Sequence, residues 1–261
     1  MLFNIGDLVT RNSYNNDIVF KIIDLKDEMV ILKGVNVRLV ADSKIDDLKK
    51  CDNCYDDILD DEEAYDRIKS DELDRSEYFY LPGKILHIDA DEDYLKRCMD
   101  FYKKMDILAY GILLKENVVH LNIRKQLEDI NPDIVVITGH DAYYKRQDDI
   151  NDSTNYKNSD NFIKAVREAR KYEKSHEKLV IIAGACQSNY EELIKSGSNF
   201  ASSPKRINIH ALDPAIIASS VSLSQKGRDI ELLKILNKTK YGANGMGGII
   251  TEGMMYTGYP R

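Results

Sequence analysis

The sequence predicts an α/β protein, with a mostly parallel sheet flanked by helices and a small β-barrel preceding it. Two apolar runs, at residues 133–138 and 178–183, are rich in Val and Ile without interruption, which is typical of strands covered on both faces. Helical patterns alternate with these strands, as expected for right-handed crossovers in a parallel sheet. Before them, residues 2–41 contain four short apolar pieces divided by turn signals, which favours a barrel of SH3 type.

Changes in composition divide the chain into three parts. Residues 1–41 are expected to form the SH3-like β-barrel, residues 42–80 an acidic helical linker, and residues 81–261 the α/β domain. The linker contains Cys51-Asp-Asn-Cys54. One such pair without a second is weak evidence for zinc, and it lacks the βαβ setting of a redox motif. No metal and no cofactor are therefore expected.

The elements of the third part follow one another after the punctuation at Pro82-Gly83. Strands are predicted at 84–88, 107–114, 133–138, 178–183 and 199–203, and helices at 94–104, 119–130 and 160–172. The late segment Gly245-Met-Gly-Gly248 lacks the strand-to-helix setting of a nucleotide-binding loop, so we interpret it as a turn.

The bulk composition argues against several classes of function. The 261 residues include 37 Lys and Arg against 44 Asp and Glu, a net charge of −7, whereas a nucleic-acid partner requires concentrated cations. The start of the sequence lacks a signal-peptide pattern, and no apolar run reaches the roughly 18 residues of a membrane helix. We therefore expect a cytoplasmic protein without a membrane partner, in which all four cysteines are free thiols.

Two reactive side chains follow two of the predicted central strands. His140 follows the strand at 133–138 after Gly139, and Cys186 follows the strand at 178–183 after Gly184 and Ala185. Ligands of an open parallel sheet bind beyond the carboxyl ends of its strands. If these strands are neighbours, about 4.8 Å apart, both side chains reach the same point.

This pairing of residue types is typical of nucleophilic catalysis. The thiolate is the reactive form of cysteine, and a nearby imidazole takes the proton and later delivers it to a leaving amine. Backbone N–H groups at Cys186 and near Gly139 and Asp141 are candidates for an oxyanion hole. Taken singly, a cysteine is more often inert and buried, and a histidine more often structural. Their matched positions favour the functional interpretation.

The blocks around these residues resemble those of a known peptidase group. Residues 134–141 and 180–187 resemble the His and Cys blocks of the caspase-like peptidase clan, and the two residues are 46 positions apart against about 50 in caspases. More closely, the chain resembles the YabG family of sporulation-specific cysteine proteases. The segments that carry this resemblance are 3–9, 37–42, 82–89, 137–143, 183–188, 199–204 and 207–214.

The resemblance implies a caspase-like fold and an endopeptidase that trims spore-coat and related sporulation proteins, cleaving after Arg. Such a preference requires a carboxylate that binds the guanidinium. Related members of the clan place an acid after the first strand, which makes Asp89 or Asp91 the leading candidate and Asp213 the second. Each of these aspartates is alternatively a helix or turn cap. Caspases carry Gly where this chain has Asp141, so the identity of the second oxyanion donor stays open.

Two other interpretations compete with the peptidase. Residues 184–188 resemble the nucleophile elbow of class I glutamine amidotransferases, with Ser in place of the final Gly, and His210 would then be the base. A non-catalytic spore-coat scaffold is the second alternative. For a peptidase, Lys145-Arg146 and Lys205-Arg206 are candidate self-cleavage points.

Overall fold

The computed structural model describes residues 3–26, 29–51, 60–69, 78–144 and 152–259. The N-terminal part is a five-stranded antiparallel sheet in the order β4-β3-β2-β1-β5. Its strands are β1 (Leu8–Arg11), β2 (Phe20–Lys26), β3 (Met29–Gly34), β4 (Val40–Lys44) and β5 (Leu48–Lys50). Alternate side chains of β2 and β3 point inward and form a small core of their own. No pairing closes β4 onto β5 in the described residues, so the predicted barrel is not confirmed.

The second part contains a six-stranded sheet in the order β12-β11-β10-β9-β7-β8. Its strands are β7 (Ile85–Asp89), β8 (Ala109–Leu113), β9 (Ile134–Ile137), β10 (Val180–Ala183), β11 (Phe200–Ser202) and β12 (Met246–Gly248). All neighbours in this sheet are parallel except β11 and β12. The prediction of a mostly parallel sheet in an α/β domain is therefore confirmed. A separate pair joins β6 (Phe79–Leu81) to β13 (Tyr256–Gly258).

Helices cover both faces of the parallel sheet, because its strands are apolar on both sides. The helices are α1 (Asp60–Lys69), α2 (Glu92–Lys104), α3 (Glu116–Ile130), α4 (Ser159–Tyr172), α5 (Tyr190–Lys195), α6 (Asp213–Ser222) and α7 (Leu232–Leu236). One core lies between the sheet and α1, α2, α6 and α7, and the other between the sheet and α3, α4 and α5. Among the described residues, no helix combines the length and the apolar character needed to cross a membrane.

Two local expectations were wrong. The segment predicted as a turn, Gly245–Gly248, contains strand β12, whose glycines are needed for close packing. A Cβ added to Gly248 would lie 2.5 Å from Cδ1 of Phe200, on the neighbouring strand. Cys51 is disulfide-bonded rather than free, whereas Cys98 and Cys186 are free and buried. Cys54 lies outside the described residues.

Candidate active site

The loops that carry His140 and Cys186 lie side by side at the carboxyl edge of the sheet. β9 and β10 pair in parallel, with Ile137 opposite Ala183, and each reactive residue comes three positions later. Three hydrogen bonds then link the two loops: Thr138 Oγ1 to Gly184 O (3.0 Å), Ser188 Oγ to Asp141 Oδ2 (2.9 Å) and Tyr143 N to Gln187 Oε1 (3.2 Å). The two candidate residues therefore lie within one tied pair of loops.

Cys186 is completely buried and holds its thiol in the neutral form. Its Sγ accepts a hydrogen bond from Ile209 N at 3.3 Å and lies 3.8 Å from Ile209 O, to which the thiol donates. Burial raises the pKa of this thiol to about 12, although the Ile209 amide and the main chain and guanidinium of Arg38 act in the opposite direction. In this conformation the thiol is therefore protonated and shielded from solvent.

His140 lies between two carboxylates. Its Nε2 is 3.4 Å from Asp91 Oδ2 and its Nδ1 is 3.5 Å from Glu116 Oε1, while its main-chain N–H donates to Glu116 at 2.8 Å. Burial by itself would lower the pKa of His140, but the two carboxylates outweigh it and raise the pKa above the ordinary value. Neither ring nitrogen hydrogen-bonds to Cys186 in the described part of the chain. The Tyr94 ring packs against the imidazole, with centroids 5.8 Å apart.

The side chain of Asp141 ties the two loops together. It is buried and accepts hydrogen bonds from the hydroxyls of Ser159 and Ser188 and from the backbone N–H groups of Ala142 and Asn158. Burial raises the pKa of Asp141, and these donors counteract part of that rise. Gly139 packs closely, since a Cβ there would lie 2.7 Å from Glu116 Oε1. Oxyanion donation by the N–H groups at Gly139, Asp141 and Cys186 stays a prediction.

Asp89, at the end of β7, binds an arginine of the same chain. Its Oδ2 is 2.6 Å from Nη1 of Arg38, and both side chains are fully buried. The carbonyl of Ala211 accepts from Nε and Nη2 of the same guanidinium, at 3.1 and 2.8 Å. The pKa of Asp89 stays below its ordinary value: burial opposes this, but Arg38 and then His87 stabilise the charged form. This edge of the sheet therefore holds a buried site for a guanidinium.

The other two candidate aspartates have different surroundings. Asp91 is the N-cap of α2 and also binds Nζ of Lys33 at 2.6 Å. Burial acts to raise the pKa of Asp91, but His140, then Lys33 and the backbone N–H of Tyr94 lower it overall. Asp213 accepts from the backbone N–H groups of His210 and Lys240, and burial raises its pKa to about 6. Asp213 therefore acts here as a cap for main-chain groups, while Asp91 contacts His140.

His210 follows Ile209, whose main chain contacts the Cys186 thiol, and the self-cleavage candidate Lys205-Arg206 precedes it in the same stretch. His210 Nδ1 accepts from Leu212 N at 3.2 Å, and its Nε2 is 3.5 Å from Arg97. Arg206 binds Tyr156 and Glu191, which holds the dipeptide Lys205-Arg206 in place. Lys145-Arg146 lies outside the described residues.

Sequence reasoning missed three residues that contact the site. Glu116 follows β8 at the same edge of the sheet, so the rule that found His140 and Cys186 would also have found it. Tyr94 belongs to the apolar face of α2 and is read as core from the sequence. Arg38 comes from the N-terminal sheet, and no local pattern indicates where that sheet docks.

Comparisons with known proteins identify the family of this chain. The chain matches the family model described as YabG peptidase U57 over residues 4–56 and 49–260. It is 40% identical over 288 aligned residues to the sporulation-specific protease YabG of Bacillus subtilis (strain 168), a match that covers 100% of this chain and 99% of that protein. A mutant receiver domain of the histidine kinase CKI1 from Arabidopsis thaliana shares 18% identity over 44% of this chain and 76% of its own, with a TM-score of 0.28, too low to carry an argument. The family match and the full-length relative together establish that the chain is a peptidase of the YabG family, U57.

Proposed function

We propose that this peptidase is a cysteine endopeptidase of the sporulating cell that cleaves spore-coat and related proteins after Arg, using Cys186 as nucleophile and His140 as proton carrier. The observation that carries the proposal is the combination at one sheet edge of a buried thiol, an imidazole and a carboxylate that binds a guanidinium. The name of the relative from Bacillus subtilis supports a role in sporulation. The proposed location is the cytoplasm of that cell, in association with the spore or its coat.

The chemistry follows from the positions of the two loops. The Cys186 thiol loses its proton to His140 as the sulfur attacks the carbonyl carbon of the scissile bond. The C–N bond then breaks, and the imidazolium delivers the proton to the departing amine. Water hydrolyses the resulting thioester and regenerates the thiol. A raised pKa suits His140 to the second of these proton transfers, because it holds the proton until the amine leaves.

In the described residues no hydrogen bond joins the imidazole to the thiol, which is compatible with this sequence of steps. Catalytic hydrogen bonds are often long before substrate binds and shorten in the reacting complex. We place the scissile bond between the two side chains, so that the carbonyl faces Cys186 and the amide nitrogen faces His140. Backbone N–H groups of Cys186 and of residues 139–141 would then stabilise the oxyanion.

A specificity pocket for Arg is supported by the surroundings of Asp89. A buried carboxylate paired with a carbonyl oxygen suits the planar donors of a guanidinium better than a lysine ammonium. We therefore assign Asp89 as the residue that binds the arginine, with Asp91 acting on His140 instead. Asp213 is less suited, since its oxygens already accept from two backbone N–H groups.

The test is cleavage of a peptide with a single internal Arg under reducing conditions. Cys186→Ala and His140→Ala are expected to abolish cleavage, whereas His210→Ala leaves most of it. The reverse ranking of the two histidine variants would favour the amidotransferase-like mechanism. Absence of cleavage by the unaltered protein would favour the scaffold. A matched peptide with Lys in place of Arg measures the preference for Arg over Lys. Asp89→Asn is expected to remove that preference.

A further inference from the structure

A short loop of the N-terminal part, between β3 and β4, pairs with a stretch of main chain beside Cys186. The loop between β3 and β4 places Val37 opposite His210 in an antiparallel bridge. Arg38 N donates to Ile209 O at 3.3 Å, and Ala211 N donates to Asn36 O at 2.9 Å. Ile209 is also the residue whose N–H and C=O both contact Cys186 Sγ. The segment 36–38 therefore pairs with the stretch that flanks the thiol.

The side chain of Arg38 fills the guanidinium site. It is fully buried, with Nη1 on Asp89 and with Nε and Nη2 on the carbonyl of Ala211. The Cζ of Arg38 lies 5.0 Å from the centroid of the Tyr94 ring. A backbone held by strand addition and a side chain held in a pocket is a common way to bind an extended peptide. Asn36, Val37 and Arg38 thus fill the space between Asp89 and the main chain of residues 209–211, named the cleft from here on, as the residues before a scissile bond would.

The chain turns away immediately after Arg38. Leu39 N donates to Val37 O at 2.8 Å, which closes a tight three-residue turn centred on Arg38. The Tyr94 hydroxyl donates to the same Val37 carbonyl at 2.9 Å and also to Gly34 O. A substrate must stay extended across the nucleophile for an amide to be cut. This turn instead holds the bond after Arg38 in a folded shape, so the segment fills the cleft without presenting a cleavable bond.

From these contacts we propose that Asn36–Val37–Arg38 is a built-in competitor, which binds where the residues preceding the cleavage point of an arginyl substrate bind. The inference rests on the proposed peptidase function and adds the main-chain partner of the substrate, the stretch from Ile209 to Ala211. Substrate enters only when the segment leaves. The cleft is then open for a fraction of the time, and apparent affinity falls by that fraction.

The test measures how fast Cys186 is alkylated by an acetyl-Val-Arg chloromethyl ketone, read by mass spectrometry of the full-length protein. Arg38→Met empties the guanidinium site while keeping an apolar side chain of similar length. If the segment fills the cleft about nine-tenths of the time, Arg38→Met raises the rate roughly tenfold. The matched control is Arg170→Met, which removes another partly buried arginine whose partners are carbonyls near α4 and Asn199. Its rate is expected to equal that of the unaltered protein.

Each outcome decides the matter. A rate for Arg38→Met no higher than that of the unaltered protein overturns the competitor. If Arg38→Met does not fold, as judged by circular dichroism, Arg38→Lys replaces it. The alkylation rate of Arg38→Lys is expected to rise a few fold, because Lys cannot make the paired hydrogen bonds from Nε and Nη2 to Ala211 O. No rise in the alkylation rate of that variant also overturns the proposal. If alkylation does not rise but the unaltered protein still cleaves an arginyl peptide and Cys186→Ala does not, the proposed function stands and only this inference falls. If no variant cleaves, both fall.

Discussion

The ion pair between Asp89 and Arg38 makes a specific prediction about stability. Asp89→Asn keeps the shape of the side chain but removes its charge, so the fully buried guanidinium loses its counterion. Breaking a buried pair by removing one partner costs about 3–5 kcal/mol. Two hydrogen bonds to the carbonyl of Ala211 remain, so we expect the lower end, about 3 kcal/mol.

Urea unfolding followed by circular dichroism measures this cost. With a slope of about 2 kcal/mol per molar urea, the midpoint of Asp89→Asn falls by roughly 1.5 M. Asp93→Asn is the matched control: its carboxylate pairs with Lys33 but is largely exposed, so the midpoint stays the same. The double variant Asp89→Asn with Arg38→Met is expected to lose less than the sum of the single losses, because each removes the same pair. A loss below about 1 kcal/mol, or strict additivity, would refute the reasoning.

Three further predictions concern the two loops. Glu116→Gln lowers the pKa of His140 in an NMR titration, because one of its two carboxylate partners is lost. A raised histidine pKa stabilises the fold below about pH 6.5, and this gain is lost as the pH rises through the folded pKa. The variant therefore loses more stability at pH 6 than at pH 9, and an equal loss at both would contradict the prediction. Ser188→Ala removes a buried hydroxyl that accepts from Ala185 N and donates to Asp141, and is expected to cost about 2 kcal/mol in thermal unfolding. The control is Ser219→Ala, which is expected to be neutral because its hydroxyl has no partner among the described residues. Gly184→Ala costs about 1–3 kcal/mol in the same measurement, because φ is +105° and the new Cβ meets Leu193 at 2.9 Å; an unchanged melting temperature would show that the loop adapts.

The parallel sheet was predictable because its strands are buried on both faces and so read as unbroken apolar runs. β9 and β10, with every residue buried, are the clearest cases. The strand β5 was missed because it is short and reads Leu-Lys-Lys, with only Leu48 buried, yet it pairs with β1 and extends the antiparallel sheet beyond residue 41. Strand β12 was missed because its glycines look like a turn when their packing partners are unknown.

The placement of His140 and Cys186 at one edge followed from the rule for parallel strands, and their roles stay predictions. The same rule applied to β8 leads to Glu116, so that omission was avoidable. The partner of Asp89 was not accessible in this way. Arg38 lies 51 positions away, beside a second sheet that has a core cluster of its own, and only the packing of the two sheets brings the charges together.

The way the N-terminal sheet is built also determines how its loop can move. β3 and β4 pair residue by residue from Met29 opposite Lys44 to Lys33 opposite Val40, and Arg38 sits in the short connection between them. A hairpin tip cannot retract alone while its two arms remain paired. Withdrawal of this arginine therefore moves β3 and β4 with it, so opening is expected to be a collective motion and sensitive to anything that binds the outer face of that sheet.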